Sequence, residues 1–198
     1  MLVFISRNLI FFETPKTASS ALHNALAPEA DMVFTKDPKV RHFSPRRFQK
    51  QVLPMLRRHY LDQDPETTAL IREPIDWLGS WYRYRRAAAF VDTELSTADI
   101  SFEEFTKIYL RQDHTPLAHI GRQSQFLKNA DNQPPTNLWR FDAIEGYCQF
   151  LGEKLDLRIT LKIENKSDAA DQSLSSETKS QLNDFFAKDY ALYNAAKY

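Results

Sequence analysis

The sequence predicts an α/β domain with a central, mostly parallel sheet flanked by helices. Two observations carry that reading. Short apolar runs rich in β-formers recur along the chain, and between them lie longer segments whose apolar residues recur at helical spacing. Strands that alternate with helices call for a sheet covered on both faces. The 198 residues fit one domain, taken as 1–198, and no internal repeat or long low-complexity segment divides them.

Taken in order, "LVFI" and "LIFF" read as strands joined by the turn-like "SRN". A helix capped by Ser19 or Ser20 runs to about Leu26, with Leu22 and Leu26 on one face. "DMVFT" (31–35) reads as a short strand. A helix begins near Pro45 and breaks near Pro54. "TTALIRE" (67–73) is a buried strand, and Pro74 opens a helix reaching about Ala89. Helices follow at 101–111 and 120–128. "NLWRF" is a strand, 142–155 a helix and "RITLKI" a strand. A terminal helix starts at Ser175 or Ser176.

Composition bounds the function. With 42% hydrophobic and 26% charged residues, the chain belongs with globular proteins and not disordered ones. Lys+Arg and Asp+Glu are both 26, so bulk charge suggests neither a nucleic-acid nor a membrane partner. The single cysteine, Cys148, excludes an intrachain disulfide and argues against a cysteine-rich metal site, and no metal is expected. No stretch approaches the roughly 20 apolar residues that cross a bilayer. The opening residues lack the pattern of a secretory leader, so a cytoplasmic location is expected.

The most informative stretch is "FFETPKTASSALHNAL" (Phe11–Leu26). It joins a strand to a helix through a loop with one lysine, three hydroxyl residues and no glycine. Backbone N–H groups at a helix N-terminus form an anion site. Lys16 adds a mobile charge, and Thr17, Ser19 and Ser20 add hydroxyl donors. The stretch departs from GxxxxGK[ST], because the lysine precedes the hydroxyl cluster and the flanking glycines are missing. A second strand–turn–helix, "ALIREPIDWLGSWYRYRR" (Ala69–Arg86), puts Arg72 at a strand's C-terminal edge, where ligands of open α/β sheets gather. Ser80 follows eight residues later. An arginine fork suits a phosphate, and a serine hydroxyl can share it.

Together these two segments resemble the sulfotransferases, and the carbohydrate-modifying branch in particular. The first is similar to that family's 5′-phosphosulfate loop, the second to its 3′-phosphate segment. Looser echoes are "RHFSP" (41–45), "QSQFL" (123–127), "RFDAI" (140–144) and "IENKS" (163–167). The resemblance implies a P-loop NTPase-like three-layer fold and the donor 3′-phosphoadenosine-5′-phosphosulfate (PAPS). It implies PAPS contacts at Lys16, Thr17, Ala18, Ser19, Ser20, Arg72 and Ser80. Lys16 would also act in catalysis, and His42 of "RHFSP" would be the base that takes the acceptor's proton, with Glu13 the other candidate. Lys166 and Ser167 are weaker nucleotide candidates, and His114 and His119 fall in a substrate-side segment. Ser19 stands where many relatives have glycine, and Glu13 where a histidine is common. The expected function is transfer of a sulfuryl group from PAPS to a hydroxyl acceptor, a small molecule or carbohydrate. The alternatives are a kinase-like P-loop nucleotide binder and a catalytically silent protein that binds the desulfated product, 3′-phosphoadenosine-5′-phosphate (PAP).

Overall fold

The computed structural model describes residues 1–112, 115–161 and 170–198. Its elements, in chain order, are β1 (Leu2–Phe4), β2 (Leu9–Phe12), α1 (Ser19–Leu26), β3 (Met32–Val33), α2 (Pro38–Arg41), α3 (Pro45–Gln51), α4 (Leu53–His59), β4 (Glu66–Ile71), α5 (Pro74–Arg85), α6 (Phe102–Arg111), α7 (Gln123–Phe126), β5 (Asn137–Arg140), α8 (Ile144–Leu155), α9 (Ser176–Phe185) and α10 (Ala187–Ala195). The chain divides into two compact units. The first comprises 1–72, 123–164 and 192–198, and the second 73–122 and 165–191.

The first unit carries a five-stranded sheet in the order β3-β1-β2-β4-β5. Only β1 opposes its neighbours, so the other four strands share one direction. The β1–β2 hairpin turns at Asn8, whose φ is 47° and whose N–H bonds to the Ile5 carbonyl. Asparagine tolerates this left-handed conformation better than most residues.

Strand alternation sorts the apolar side chains onto two faces. Val3, Ile10, Phe12, Ala69 and Ile71 pack with Phe48, Val52, Leu53 and Leu56 of the α3–α4 stretch. Leu2, Phe4, Leu9, Phe11 and Leu70 pack with Leu22 and Leu26 of α1 and with Tyr147, Leu151 and Leu155 of α8. Both faces of the sheet are therefore covered by helices. A one-residue slip of β2 would exchange Ile10 and Phe12 for Leu9 and Phe11 across two differently shaped cores, so packing pins the register.

Both sheet edges are short or covered. β3 has two residues. Beyond β5, Lys197 forms a bridge to Trp139; its N–H bonds to the Leu138 carbonyl and its own carbonyl accepts from Arg140 N–H.

The second unit packs α5, α6 and α9 around Trp77, Leu78, Tyr82, Phe102, Phe105, Tyr109, Leu182 and Phe186. Its helices start on strong caps. Glu73 accepts from Asp76 N–H, Ser101 and Glu104 form a reciprocal capping box, and Ser175 accepts from Thr178 N–H.

Several sequence expectations change. Neither Ser19 nor Ser20 caps α1; both lie in its first turn, and the N-cap is Ala18, with no side-chain cap bond. "DMVFT" supplies only two strand residues. The break between α3 and α4 falls at Val52, which leaves Pro54 in the first turn of α4, where its missing N–H costs nothing. α5 stops at Arg85, not Ala89, and the 120–128 helix shrinks to Gln123–Phe126. Arg158–Leu161 forms no strand, and the rest of "RITLKI" lies outside the described residues. So do His114, Lys166 and Ser167.

Candidate functional site

The loop that follows β2 lies at the C-terminal end of the parallel strands, as does Arg72, the residue after β4. Its backbone resolves the missing glycines. Lys16 has φ 66° and Ala18 φ 55°, while Thr17 between them and Ser19 after them have negative φ. Alternation of φ sign over successive residues turns neighbouring N–H groups into one concavity, the nest that holds anions in phosphate loops. Positive φ thus falls at Lys16 and Ala18, and Ser19 is ordinary helix. The concavity opens at the N-terminus of α1, where the helix dipole adds to it.

The conformation is held from several sides. Thr17 Oγ1 donates to the Thr14 carbonyl at 2.9 Å. Arg72 Nη1 donates to the Lys16 carbonyl at 3.1 Å, and its guanidinium lies 4.7 Å from the centre of the Phe141 ring. Gln123, 1% exposed, fixes Arg72 in turn: its Oε1 accepts from Arg72 N–H at 2.9 Å and its Nε2 donates to the Arg72 carbonyl at 2.8 Å. Thr14 Oγ1 is buried and has no hydrogen-bond partner among the described residues. A loop with an orphaned hydroxyl, aligned N–H groups and a lysine has the donor set that a phosphate or sulfate needs.

A left-handed alanine costs about 1 kcal/mol or more, and such strain persists only where the surroundings impose it. Ala18→Gly is therefore expected to leave stability nearly unchanged, since relief of strain offsets the added freedom of the unfolded chain. Ala18→Val should destabilise by about 1–3 kcal/mol. Urea unfolding of both variants checks this, and equal losses would show that residue 18 is not held left-handed.

Beneath the loop sits a buried carboxylate. Glu13 is fully buried, and both of its oxygens are engaged. Oε1 accepts from the Met1 ammonium at 2.7 Å and lies 2.9 Å from His23 Nδ1. Oε2 accepts from Arg41 Nε at 2.8 Å. Burial would raise the Glu13 pKa, but the ammonium, Arg41 and His23 outweigh it and hold the group below the usual carboxylate range. Glu13 is thus an ionised anchor. Its side chain is buried with both oxygens engaged, which speaks for a supporting role over that of the alternative base. Arg41 Nη2 also donates to the Ser19 carbonyl at 3.1 Å, which ties the end of α2 to the first turn of α1.

His42, the residue after α2, comes to the same loop. Its Nδ1 donates to the Glu13 carbonyl at 2.6 Å, because a carbonyl can only accept. In the neutral ring this leaves Nε2 as the acceptor. Burial is the largest influence on the His42 pKa and lowers it below the ordinary histidine value, with Arg41 acting the same way; the bond to Glu13 and the Glu13 charge oppose. The ring is neutral at pH 7, with a fixed tautomer.

The first unit therefore brings together Lys16, Thr17, Ala18, Ser19, Ser20, Arg72 and His42. Ser80 belongs to the second unit, where it is buried on α5. Sequence reasoning missed Arg41, His23 and Gln123 as supports. Arg41 adjoins His42 in "RHFSP" and Gln123 opens "QSQFL", but nothing in one sequence tells that either side chain turns onto the loop. Among the described residues, no group of three or more His, Cys, Asp or Glu could hold a metal ion, and no helix is long and apolar enough to cross a membrane. No protein-family model, curated protein or solved structure matches the chain.

Proposed function

We propose that the chain is a sulfotransferase of P-loop NTPase-like fold, which moves a sulfuryl group from PAPS to a hydroxyl acceptor, a small molecule or carbohydrate. The observation that carries the reading is the nest at Lys16–Ser19, set on a helix N-terminus beside a neutral histidine of fixed tautomer. In the reaction the acceptor oxygen bonds to sulfur, the bond from sulfur to the 5′-phosphate oxygen breaks, and PAP leaves. The loop N–H groups, that of Thr17 among them, hold the 5′ end with the Ser19 and Ser20 hydroxyls, where preorganised donors stabilise developing charge; the Thr17 hydroxyl is already committed to the Thr14 carbonyl. Lys16 neutralises the leaving oxygen, much as cations do in phosphoryl transfer. His42 Nε2 takes the acceptor's proton. Arg72, at the end of β4, is assigned to the 3′-phosphate.

Calorimetry and thermal unfolding with PAP, AMP and ATP–Mg²⁺ test the reading. PAP is expected to bind most tightly and to raise the melting temperature; at a hundredfold excess over Kd the stabilisation is about 2.7 kcal/mol. No PAP binding at millimolar concentration would remove the sulfotransferase assignment, and preference for ATP–Mg²⁺ would replace it with the kinase-like alternative.

A further inference from the structure

The zero net charge of the chain averages over an uneven distribution. Between Lys36 and Tyr60 there are eight Lys and Arg residues and one acid, Asp37. Arg41 turns inward to Glu13, and Arg57 pairs with Asp64 at 2.7 Å. The other six, Lys36, Lys39, Arg46, Arg47, Lys50 and Arg58, are exposed and form no ion pair among the described residues.

The fold sets three of them, Arg47, Lys50 and Arg58, on one helix face. α3 and α4 run on through Val52, which keeps right-handed helical dihedrals, so the two approximate one bent helix. Pro45, Phe48, Val52 and Leu56 form its buried stripe. Arg47, Lys50, Pro54 and Arg58 repeat the same spacing on the opposite, exposed face. Arg47 extends this face toward α2, since its Nη1 donates to the Lys39 carbonyl at 2.8 Å. Apolar side chains are exposed among the cations: Val40 at 39%, Met55 at 42% and Tyr60 at 56%.

From this arrangement we propose that the α2–α4 face binds the surface of an anionic lipid bilayer, with the cations on headgroup phosphates and carboxylates and Val40, Met55 and Tyr60 entering the interface. Charge complementarity alone would fit any polyanion. The exposed Val and Met decide for lipid, because they offer nothing to a nucleic-acid base or a sugar and gain from an acyl boundary. Such a protein lies on the bilayer and does not span it.

Co-sedimentation with phosphatidylcholine vesicles, with and without phosphatidylserine, tests the proposal on the whole chain. Binding is expected only with phosphatidylserine and should weaken as salt rises. Each cation near an anionic surface is worth roughly fivefold in partition. Lys50→Glu with Arg58→Glu should therefore reduce binding by at least about 25-fold, and Met55→Ser with Tyr60→Ser should reduce it further. If the double charge variant does not fold, salt titration of the unmodified protein and the Met55→Ser variant carry the test. Failure to bind phosphatidylserine vesicles near physiological salt overturns the proposal. So does vesicle binding that neither salt nor these substitutions change, or binding to duplex DNA or heparin in the absence of vesicle binding. None of these residues belongs to the loop site, so the result is independent of PAP binding.

Discussion

Replacing His42 with alanine is expected to lower turnover by about 10²–10⁴, the usual contribution of a general base, while PAP affinity stays within a few-fold of the parent. The expectation rests on the ring's single described anchor. Nδ1–H is committed to the Glu13 carbonyl, which leaves Nε2 as the proton acceptor. Burial favours the neutral ring, so a base at this position would be ready at pH 7, and the rate should fall only as pH drops below the ordinary histidine range and through the depressed pKa. His42→Gln offers a control, since it retains a donor for the Glu13 carbonyl but supplies no base. The measurement is single-turnover sulfate transfer to an acceptor found by screening hydroxyl compounds, with PAP titrations run in parallel. Near-parental turnover in both variants would exclude His42 from proton transfer. Equal loss of turnover and PAP affinity would instead make it a support for the loop.

Glu13→Ala should destabilise the chain by about 3–5 kcal/mol, because it strands the buried Met1 ammonium and the part-buried Arg41 without their counter-charge. Against a typical total stability of about 5–15 kcal/mol, that is enough to unfold a marginal domain. The carboxylate meets the Met1 ammonium, His23 and Arg41 at 2.7 to 2.9 Å, and its partners come from the residue before β1, from α1 and from α2. Because the folded pKa of Glu13 is depressed, its contribution is present above the unfolded value of 4.5 and is lost as pH falls through the folded pKa. Urea unfolding across the acid range should accordingly show a steep acid limb in the parent protein and a flatter one in Glu13→Gln. A loss below about 1 kcal/mol for Glu13→Ala would mean that the cluster is solvated in solution.

Much of the fold was legible because packing and pattern agree. The buried runs of β2 and β4, the start of α3 at Pro45 and the start of α9 at Ser175 follow from residue types acting locally. The α1 cap was not legible. Serine after a loop usually caps, but here the Lys16–Ala18 backbone is left-handed at alternate residues, and the bonds from Thr17 and Arg72 that hold it there are partly long-range. "DMVFT" looked like a full strand because β-propensity does not report how many residues find a partner, and only Met32 and Val33 pair with β1. The site divides the same way. Lys16 and Arg72 could be read from their places at strand ends. The inward turn of Glu13 could not, because it depends on Arg41, 28 residues later in the chain.

The two ends of the sheet bear on how copies of this chain can meet. An open strand edge is a template for another strand, and proteins avoid runaway pairing by shortening such edges or occupying them. β3 offers two residues, too few to seed a lasting ladder, and Lys197 already takes the Trp139 position on the outer side of β5. Sheet-to-sheet addition between molecules is thus disfavoured at both margins. Any self-association would have to use side-chain surfaces, and fibril-like growth from the native state would first have to peel Lys197 away.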